Sequence, residues 1–208
     1  MLKEDINHKK QMKKGLFISL LILSIFILCA IFSLQSVAQC EVGSPAPDFA
    51  LQSPDGETYK LSQYKNQQDF IVLSFLKNDD SGTPDILQKL IDFFKDPKPL
   101  ESFKIVAILV SEPGEEINNQ ITSIQEQTDI PLILLIDDNG EVPESYQIEG
   151  FPTMVLLRDN LCVVKVYSKF TDRQERMFYQ YLKFIFSYPK QSGSSGCDGG
   201  VCPPPPGY

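Results

Sequence analysis

The chain has 208 residues, of which 42% are hydrophobic and 22% charged, with 5 Cys and no Trp. This is the composition of a globular protein, and it excludes a disordered chain, a collagen and a small disulfide scaffold. The length suits one domain of common size with short appendages, and it does not accommodate two sizeable domains.

The 27 acidic residues outnumber the 19 basic ones, which gives a formal net charge of −8. Five of the basic but only two of the acidic residues lie in the first 38 positions, so the rest of the chain is more acidic still. Because nucleic-acid binders present basic surfaces, we expect no nucleic-acid partner. The one histidine, His8, precedes the globular region, which excludes histidine-based catalysis or metal binding there.

The N-terminal segment combines lysines at positions 9, 10, 13 and 14 with an uncharged apolar run at residues 16–34. This run exceeds the usual core of a signal peptide and is about long enough to cross a bilayer as a helix. We therefore predict that residues 1–38 are a signal peptide or a membrane anchor. Small residues at Ser36 and Ala38 fit cleavage before Gln39, and Cys40 leaves lipidation open. In each case the lysines stay in the cytoplasm and the domain is periplasmic or extracellular, anchored or secreted.

The C-terminal residues 190–208 are rich in Gly, Ser and Pro and are predicted to form a disordered tail. The globular domain is therefore expected at residues 42–189. Within the tail, Cys197 and Cys202 flank a short glycine-containing loop, for which an oxidising compartment favours a local disulfide. A redox-active pair, a copper or other soft-metal site and an unpaired state remain alternatives for these two thiols.

The other three cysteines give weaker signals. Cys29 falls in the apolar run and is interpreted as a filler. Cys40 is open to lipidation, an intermolecular disulfide or no role, of which the last is preferred. Cys162 alternates with valines in a predicted strand, which is typical of a buried, inert thiol. We predict no metal site and no cofactor in the domain. A closed zinc site needs four ligands, which these cysteines do not supply.

Strands dominate the hydrophobic pattern of the domain. Residues 50–53 and 58–61 flank the turn-forming triplet Pro54-Asp55-Gly56 and are predicted to form a hairpin. Two apolar runs, residues 70–76 and 103–110, are typical of strands buried on both faces. Further strands are predicted at residues 131–136, 154–157 and 162–167, the last two joined by a turn at Asp159-Asn160.

Three helices are predicted between these strands. The first has Thr83 as its N-cap and Pro84 in its first turn, and it stops at Pro97. The second carries an inner stripe of isoleucines, and the third closes the domain with apolar residues from Met177 to Phe186. The isoleucines of the second helix are Ile117, Ile121 and Ile124. The alternation predicts a mixed sheet with helices on both faces.

Two motif blocks carry a family resemblance. Residues 43–49 read GSPAPDF and are followed by the Asp55-Gly56 turn and by LSQY at residues 61–64; residues 150–158 read GFPTMVLLR. Together they resemble the redoxin branch of the thioredoxin superfamily, with its alkyl hydroperoxide reductase/thiol-specific antioxidant proteins and membrane-tethered thiol-disulfide oxidoreductases. The resemblance covers about residues 42–186. It implies an α/β fold, a thioredoxin-like mixed sheet flanked by helices with an N-terminal hairpin extension.

The resemblance also implies a site. The Pro-Thr motif of the family carries a cis proline beside the redox centre, so Phe151, Pro152 and Thr153 are expected to bind, with Pro152 in the cis form. The backbone there normally pairs with an extended polypeptide, which would be the partner. Family enzymes continue from the first central strand into W-C-x-x-C or T-x-x-C. Here residues 77–84 read KNDDSGTP, and the alignment puts Asp80 and Thr83 at the two cysteine positions.

No cysteine lies between Cys40 and Cys162, so neither family reaction has its usual nucleophile. Asp79 and Asp80 are interpreted as a solvated acidic loop, with a carboxylate pair for metal or acid-base chemistry as the alternative. We expect a membrane-tethered or secreted protein with a degenerate redox site and a binding or assembly role. The alternatives are a thiol-disulfide oxidoreductase or antioxidant protein that uses Cys197 and Cys202, and copper delivery through the same thiols.

Overall fold

The computed structural model describes residues 41–95, 102–130 and 132–187, all of which belong to one compact unit. The predicted leader at residues 1–38, the tail at residues 190–208 and the thiols of Cys197 and Cys202 lie outside these residues. No helix in the described part of the chain is both long and apolar enough to cross a membrane. The span predicted at residues 16–34 is outside that part.

A seven-stranded mixed sheet forms the centre of the described residues. The strands are β1 Ala50–Gln52, β2 Thr58–Lys60, β3 Phe70–Lys77, β4 Phe103–Val110, β5 Leu132–Asp137, β6 Thr153–Arg158 and β7 Val163–Tyr167. Their order in the sheet is β2-β1-β5-β4-β3-β6-β7. The central strands β3, β4 and β5 are parallel, and β6, β7 and the β1–β2 hairpin are antiparallel to their neighbours. This confirms the predicted fold class and the N-terminal hairpin.

The three predicted helices are present, and the structure adds two short elements, a 3-10 helix and a five-residue α-helix. A 3-10 helix at Leu61–Tyr64 is followed by α1 Thr83–Phe94, α2 Asn119–Gln127, α3 Glu141–Ser145 and α4 Asp172–Ser187. The sequence did not predict α3, because its five residues include Pro143 and are too few for a helical hydrophobic period. Ile117 precedes α2, since the side chain of Asn118 caps that helix by accepting a hydrogen bond from the Gln120 N–H.

The start of α1 corrects another prediction. Thr83 is the first residue of the helix, and Gly82 occupies the N-cap position without a side-chain hydrogen bond. The Thr83 hydroxyl instead donates a 2.7 Å hydrogen bond to the Lys77 carbonyl at the end of β3. Its preference for local backbone bonding, which suggested a cap, is met by the preceding strand. Pro97 lies outside the described residues.

Side chains from both faces of the sheet are buried, as the apolar strands predicted. In β3, Ile71, Leu73 and Phe75 belong to one core cluster, whereas Val72 and Leu76 belong to the other, and all five are 0% exposed. Helices α1, α2 and α4 cover the Val72 face. The opposite face is covered by α3, the 3-10 helix and Phe49. The parallel strands therefore run through a layer that is covered on both sides.

The chain before the hairpin lies against the start of β7. Gly43 donates to the Val163 carbonyl at 2.8 Å, and Val163 donates to the Ser44 carbonyl at 2.9 Å. Pro45 forms an isolated antiparallel bridge with Cys162. Cys162 is 4% exposed, as expected for a buried residue, but it takes part in a disulfide. The prediction of an inert thiol is therefore wrong, because apolar alternation indicates burial and carries no information on a covalent partner.

Candidate binding site at the cis proline

Two loops meet at one end of the central sheet. Strands β3 and β6 are antiparallel neighbours whose pairing ends at Phe75 and Thr153, so the chain after β3 emerges beside the chain that enters β6. The Nζ of Lys77 lies 5.8 Å from the centroid of the Phe151 ring, which is within range of a cation-π contact. We call residues 77–84 the β3–α1 loop and residues 150–153 the cis-proline turn, and together they form the candidate site.

The peptide between Phe151 and Pro152 is cis, which confirms the prediction. The Pro152 carbonyl accepts a 2.9 Å hydrogen bond from the N–H of the buried Phe170. The Thr153 hydroxyl donates to the Gly150 carbonyl at 2.7 Å. These two bonds fix the turn from both sides. Within the described part of the chain, the N–H and the carbonyl of Phe151 make no backbone hydrogen bond.

Lys169 packs against Gly150 at the start of the turn. A Cβ atom added to Gly150 would lie 3.1 Å from Cγ and 3.2 Å from Cε of this lysine, so its stem lies directly over the glycine. The Phe151 side chain is half-buried, and the Lys77 Nζ lies above its ring. Two neighbouring residues of the cis-proline turn are therefore each contacted by a lysine.

The two positions aligned with the family cysteines are occupied by side chains that stabilise the loop itself. Asp80 accepts a 2.8 Å hydrogen bond from the Gly82 N–H through its carboxylate and a 3.0 Å bond from the Thr83 N–H through its carbonyl. Thr83 is 2% exposed, and its hydroxyl is engaged by the Lys77 carbonyl. The first position is thus partly accessible and the second is buried, with no thiol at either.

Asp79 and Ser81 are exposed and Asp80 is partly buried, in keeping with the interpretation of a solvated acidic loop. A carboxylate pair needs both groups to face one ligand, whereas one Asp80 oxygen is already bound to the Gly82 N–H. Among the residues described, no group of three or more His, Cys, Asp or Glu side chains is arranged to hold a metal ion.

A buried amide connects this loop to the next one. Asn78 is 2% exposed, and its side-chain nitrogen donates to the Glu115 carboxylate at 2.7 Å and to the Glu116 carbonyl at 2.9 Å. Its own backbone N–H donates to the Val110 carbonyl at 3.0 Å, where β4 ends. The sequence analysis did not single out Asn78. The signal that could have identified Asn78 is its position as a polar residue directly after a buried strand.

The sequence analysis also missed Lys77 and Phe170. Lys77 is the last residue of β3, and Phe170 follows β7, so they reach the cis-proline turn only when strands distant in sequence are placed side by side. The predicted set of Phe151, Pro152 and Thr153 does lie at the same end of the sheet as Asp80 and Thr83. Cys197 and Cys202 are outside the described residues.

This geometry defines a thioredoxin-like domain, and comparison with known proteins gives its family. The sequence profile of the AhpC/TSA family matches residues 42–166, so the chain belongs to the AhpC/TSA family. A curated relative, Peroxiredoxin Bcp of Bacillus subtilis (strain 168), is 32% identical over 108 residues, or 52% of this chain. The aligned region spans 64% of that relative, which is less than two thirds of its length.

Solved structures show the same fold at lower identity. A putative thiol:disulfide interchange protein DsbE from Chlorobium tepidum is 21% identical with a TM-score of 0.57, covering 70% of this chain and 98% of its own. A putative thioredoxin from Neisseria meningitidis is 18% identical with a TM-score of 0.55, covering 75% and 99%. An exposed lipoprotein thioredoxin, Etrx1, from Streptococcus pneumoniae is 24% identical with a TM-score of 0.50, covering 66% and 99%. The predicted redoxin resemblance is confirmed.

Proposed function

We propose that this AhpC/TSA-family domain is redox-degenerate and binds an extended polypeptide at the cis-proline turn. The observation that carries the proposal is the pairing of an intact cis-proline turn with a loop whose two cysteine positions hold Asp80 and Thr83. Both of these side chains are hydrogen-bonded within the loop. The binding half of the family site is thus retained, whereas the half that would perform the chemistry is replaced.

Disulfide exchange and peroxide reduction both require a thiolate as the attacking group. A carboxylate at Asp80 cannot form the mixed disulfide, and the Thr83 hydroxyl is buried against the Lys77 carbonyl without a neighbouring base. In the described part of the chain Cys162 is the one cysteine, and it is in a disulfide. It precedes β7, at the end of the sheet opposite the cis-proline turn, so its sulfur is remote from the candidate site.

The cis-proline turn supports binding of an extended chain for two reasons. The N–H and carbonyl of Phe151 are unpaired within the described residues, and such groups pair with a ligand strand in the manner of an added β-strand. The Phe151 ring supplies an apolar contact below Lys77, and Lys169 lies over the adjacent Gly150, so that two positive charges favour a ligand that carries acidic side chains.

We place the domain outside the cytoplasm, held by an anchor at residues 16–34 or released after cleavage. The support is the apolar run behind four lysines, together with the similar fold of a protein described as an exposed lipoprotein thioredoxin. Tethering would keep the binding domain at the membrane surface.

The redox part of the proposal is tested by activity of the full-length protein in detergent. We expect no peroxide consumption with a dithiol reductant and no reduction of insulin disulfides above the rate without protein. Activity that disappears in the Cys197→Ser, Cys202→Ser variant would replace this proposal with the oxidoreductase that uses the tail thiols. Copper binding that disappears in the same variant would favour metal delivery. Activity that survives both substitutions would contradict all three functions.

The binding part is tested with a permanently unfolded probe, such as a reduced and carboxymethylated ribonuclease, which carries added carboxylates. We expect saturable binding that Phe151→Ala weakens about tenfold, equivalent to about 1.4 kcal/mol. Phe184→Ala is the matched control, since Phe184 is a 42% exposed phenylalanine on α4. Equal loss in both variants, or no binding by the wild-type protein, would refute a role for the cis-proline turn.

A further inference from the structure

The disulfide at Cys162 has its second sulfur outside the described residues, and the backbone around Cys162 indicates which cysteine supplies it. The candidates are Cys29, Cys40, Cys197 and Cys202. We propose that Cys162 is bonded to Cys40 of the same chain, so that the segment leading into the domain is covalently fastened to the start of β7. This inference is independent of the proposed binding function.

The first argument is the pairing of residues 43–46 with residues 161–163. Gly43 and Ser44 exchange hydrogen bonds with Val163 at 2.8 and 2.9 Å, and Ala46 donates to the Leu161 carbonyl at 2.8 Å. Pro45 is the direct antiparallel partner of Cys162. Directly opposed residues in such a pair have Cα atoms about 4.5 to 5.5 Å apart. The chain immediately after Cys40 is therefore already held against Cys162.

The second argument is a reversal of the chain at Val42 and Gly43. The Ser44 N–H donates to the Glu41 carbonyl at 2.9 Å, and Gly43 has a φ of 90°, the left-handed value required at the third position of a type II turn. The Ser44 hydroxyl also donates to the Glu41 carbonyl at 2.7 Å and accepts from the Glu41 N–H at 3.1 Å. This turn brings Glu41 back beside Ser44, the residue before Pro45, which is itself paired with Cys162.

Cys40 is one residue further back along the reversed chain, about 3.8 Å from Glu41 between Cα atoms. The turn keeps the Cα atoms of Glu41 and Ser44 within about 7 Å. A disulfide needs Cα atoms about 4.4 to 6.8 Å apart. Cys40 is thus joined directly to a residue that the turn holds close to Ser44, next to the Pro45–Cys162 bridge.

The other candidates are less well placed. Cys197 and Cys202 follow the end of α4 at Ser187 by 10 and 15 positions, so closure of a loop to Cys162 would restrict a long Gly/Ser/Pro segment. Cys29 lies within the apolar run, 11 positions before Cys40. With Cys40 bonded to Cys162, Cys197 and Cys202 remain free to pair with each other across their four intervening residues.

Formation of the bond is a two-electron oxidation. The two S–H bonds of Cys40 and Cys162 are broken and one S–S bond forms. The two electrons and the two protons pass to an external protein disulfide of the kind that oxidises secreted proteins, whose S–S bond breaks to give a dithiol. The bond consumes the sulfur that a lipid would occupy at Cys40, so a disulfide-bonded chain is not lipidated there.

The direct test is a peptide map of the full-length protein, taken from its membrane or secreted fraction. Free thiols are blocked with N-ethylmaleimide in denaturant before digestion with trypsin and chymotrypsin without reductant. Cleavage at Phe32 and Leu34 separates Cys29 from Cys40. We expect the Cys40 peptide joined to the Cys162 peptide, with the joined mass lost after reduction. Cys162 joined to any other cysteine, a thioether lipid on Cys40 or a free Cys162 would overturn the proposal.

Matched variants provide a second readout. In the Cys40→Ser variant, Cys162 should react with maleimide once the protein is denatured. In the Cys197→Ser, Cys202→Ser double variant, Cys162 should remain unreactive because its disulfide is intact. In the latter background, a reductant should lower the melting temperature by on the order of 10 °C, because a loop of more than 100 residues is opened. The additional Cys40→Ser substitution should abolish that effect of reductant. An unchanged effect would show that Cys40 is not the partner. If Cys40→Ser does not accumulate, the wild-type peptide map decides.

Discussion

The side-chain oxygen of Asn78 accepts a 3.0 Å hydrogen bond from the backbone N–H of Asn118, the residue that caps α2. With the two bonds that its side-chain nitrogen donates, this buried amide connects the β3–α1 loop to the segment between β4 and α2. In both loops the chain leaves the end of a parallel strand, so Asn78 holds together the edge on which the candidate site is built.

Replacing Asn78 should therefore destabilise the domain. Asn78→Ala removes three hydrogen bonds made by a buried side chain, two of them to the backbone of Glu116 and Asn118, so we expect a loss of about 2 to 3 kcal/mol in the free energy of unfolding. Urea unfolding followed by circular dichroism measures it. The exposed neighbour provides the control: Asp79→Ala should change stability by less than about 0.5 kcal/mol. Equal effects would mean that the network contributes nothing.

The alignment of the lost redox site can be tested by restoring it. In a chain whose Cys197 and Cys202 are serine, Asp80→Cys with Thr83→Cys should give a pair that closes a disulfide at the start of α1. Two residues lie between the new cysteines, a spacing that can meet the geometry of a disulfide, and the N-terminus of α1 stabilises a thiolate. The exposed Asp79 should oppose that thiolate, so we expect slow exchange. Mass spectrometry counts the thiols, with Asp80→Cys alone as the control. A pair that stays reduced under oxidants that close ordinary dithiols would show that the alignment is misplaced.

Tyr179 should make the stability fall at alkaline pH. Burial, and to a smaller extent the charge of Glu175, raise the pKa of Tyr179 in the folded protein. The neutral phenol is thus favoured by folding. Its contribution is complete below the ordinary tyrosine pKa of about 10 and is lost as the pH rises through the higher pKa of the folded state. We expect Tyr179→Phe to lose less stability than wild type when the pH is raised from about 9 to about 11.

Neutral pH supplies the baseline for this variant. The Tyr179 hydroxyl is buried and has no hydrogen-bond partner among the residues described, so its removal should change stability by less than about 1 kcal/mol at pH 7. Urea unfolding at both pH values separates the two contributions. Parallel pH profiles for the wild type and the variant would show that the phenol is not the titrating group.

The topology prediction concerns the leader. Because the lysines at positions 9–14 favour the cytoplasmic side and the run at residues 16–34 can span a bilayer, protease added outside should digest the domain of an anchored protein. The N-terminal lysine segment should remain protected until the membrane is dissolved with detergent. Immunoblots with tags at both ends follow the two segments. A domain that resists protease when the outer face of the membrane is accessible would contradict the prediction.

Much of the fold could be predicted because the strands carry strong local signals. The apolar run that became β3 is buried on both faces, and the turn at Asp159-Asn160 is closed by a 2.8 Å bond from the Leu161 N–H to the Arg158 carbonyl. In these cases the deciding information lies within a few consecutive residues. The cis state of Pro152 was instead implied by the resemblance of its motif to a known family.

The remaining features depend on contacts between distant segments. The position of Lys77 over Phe151 requires β3 and β6 to be neighbours, and the hydrogen bond between Pro152 and Phe170 requires the chain after β7 to return to the same edge. The bridge between Pro45 and Cys162 depends on a segment that joins the edge of β7 without forming a regular strand. None of these pairs is indicated by periodicity in one window of sequence.

The alignment of residues 43–46 along the start of β7 also bears on self-association. An open sheet edge invites strands from other copies, and here β7 has part of its outer edge already hydrogen-bonded by its own chain. The strand at the opposite edge, β2, is only three residues long. Neither border offers a long template for sheet extension between molecules. A domain concentrated at high local density on a membrane would therefore have a built-in protection against joining its copies edge to edge.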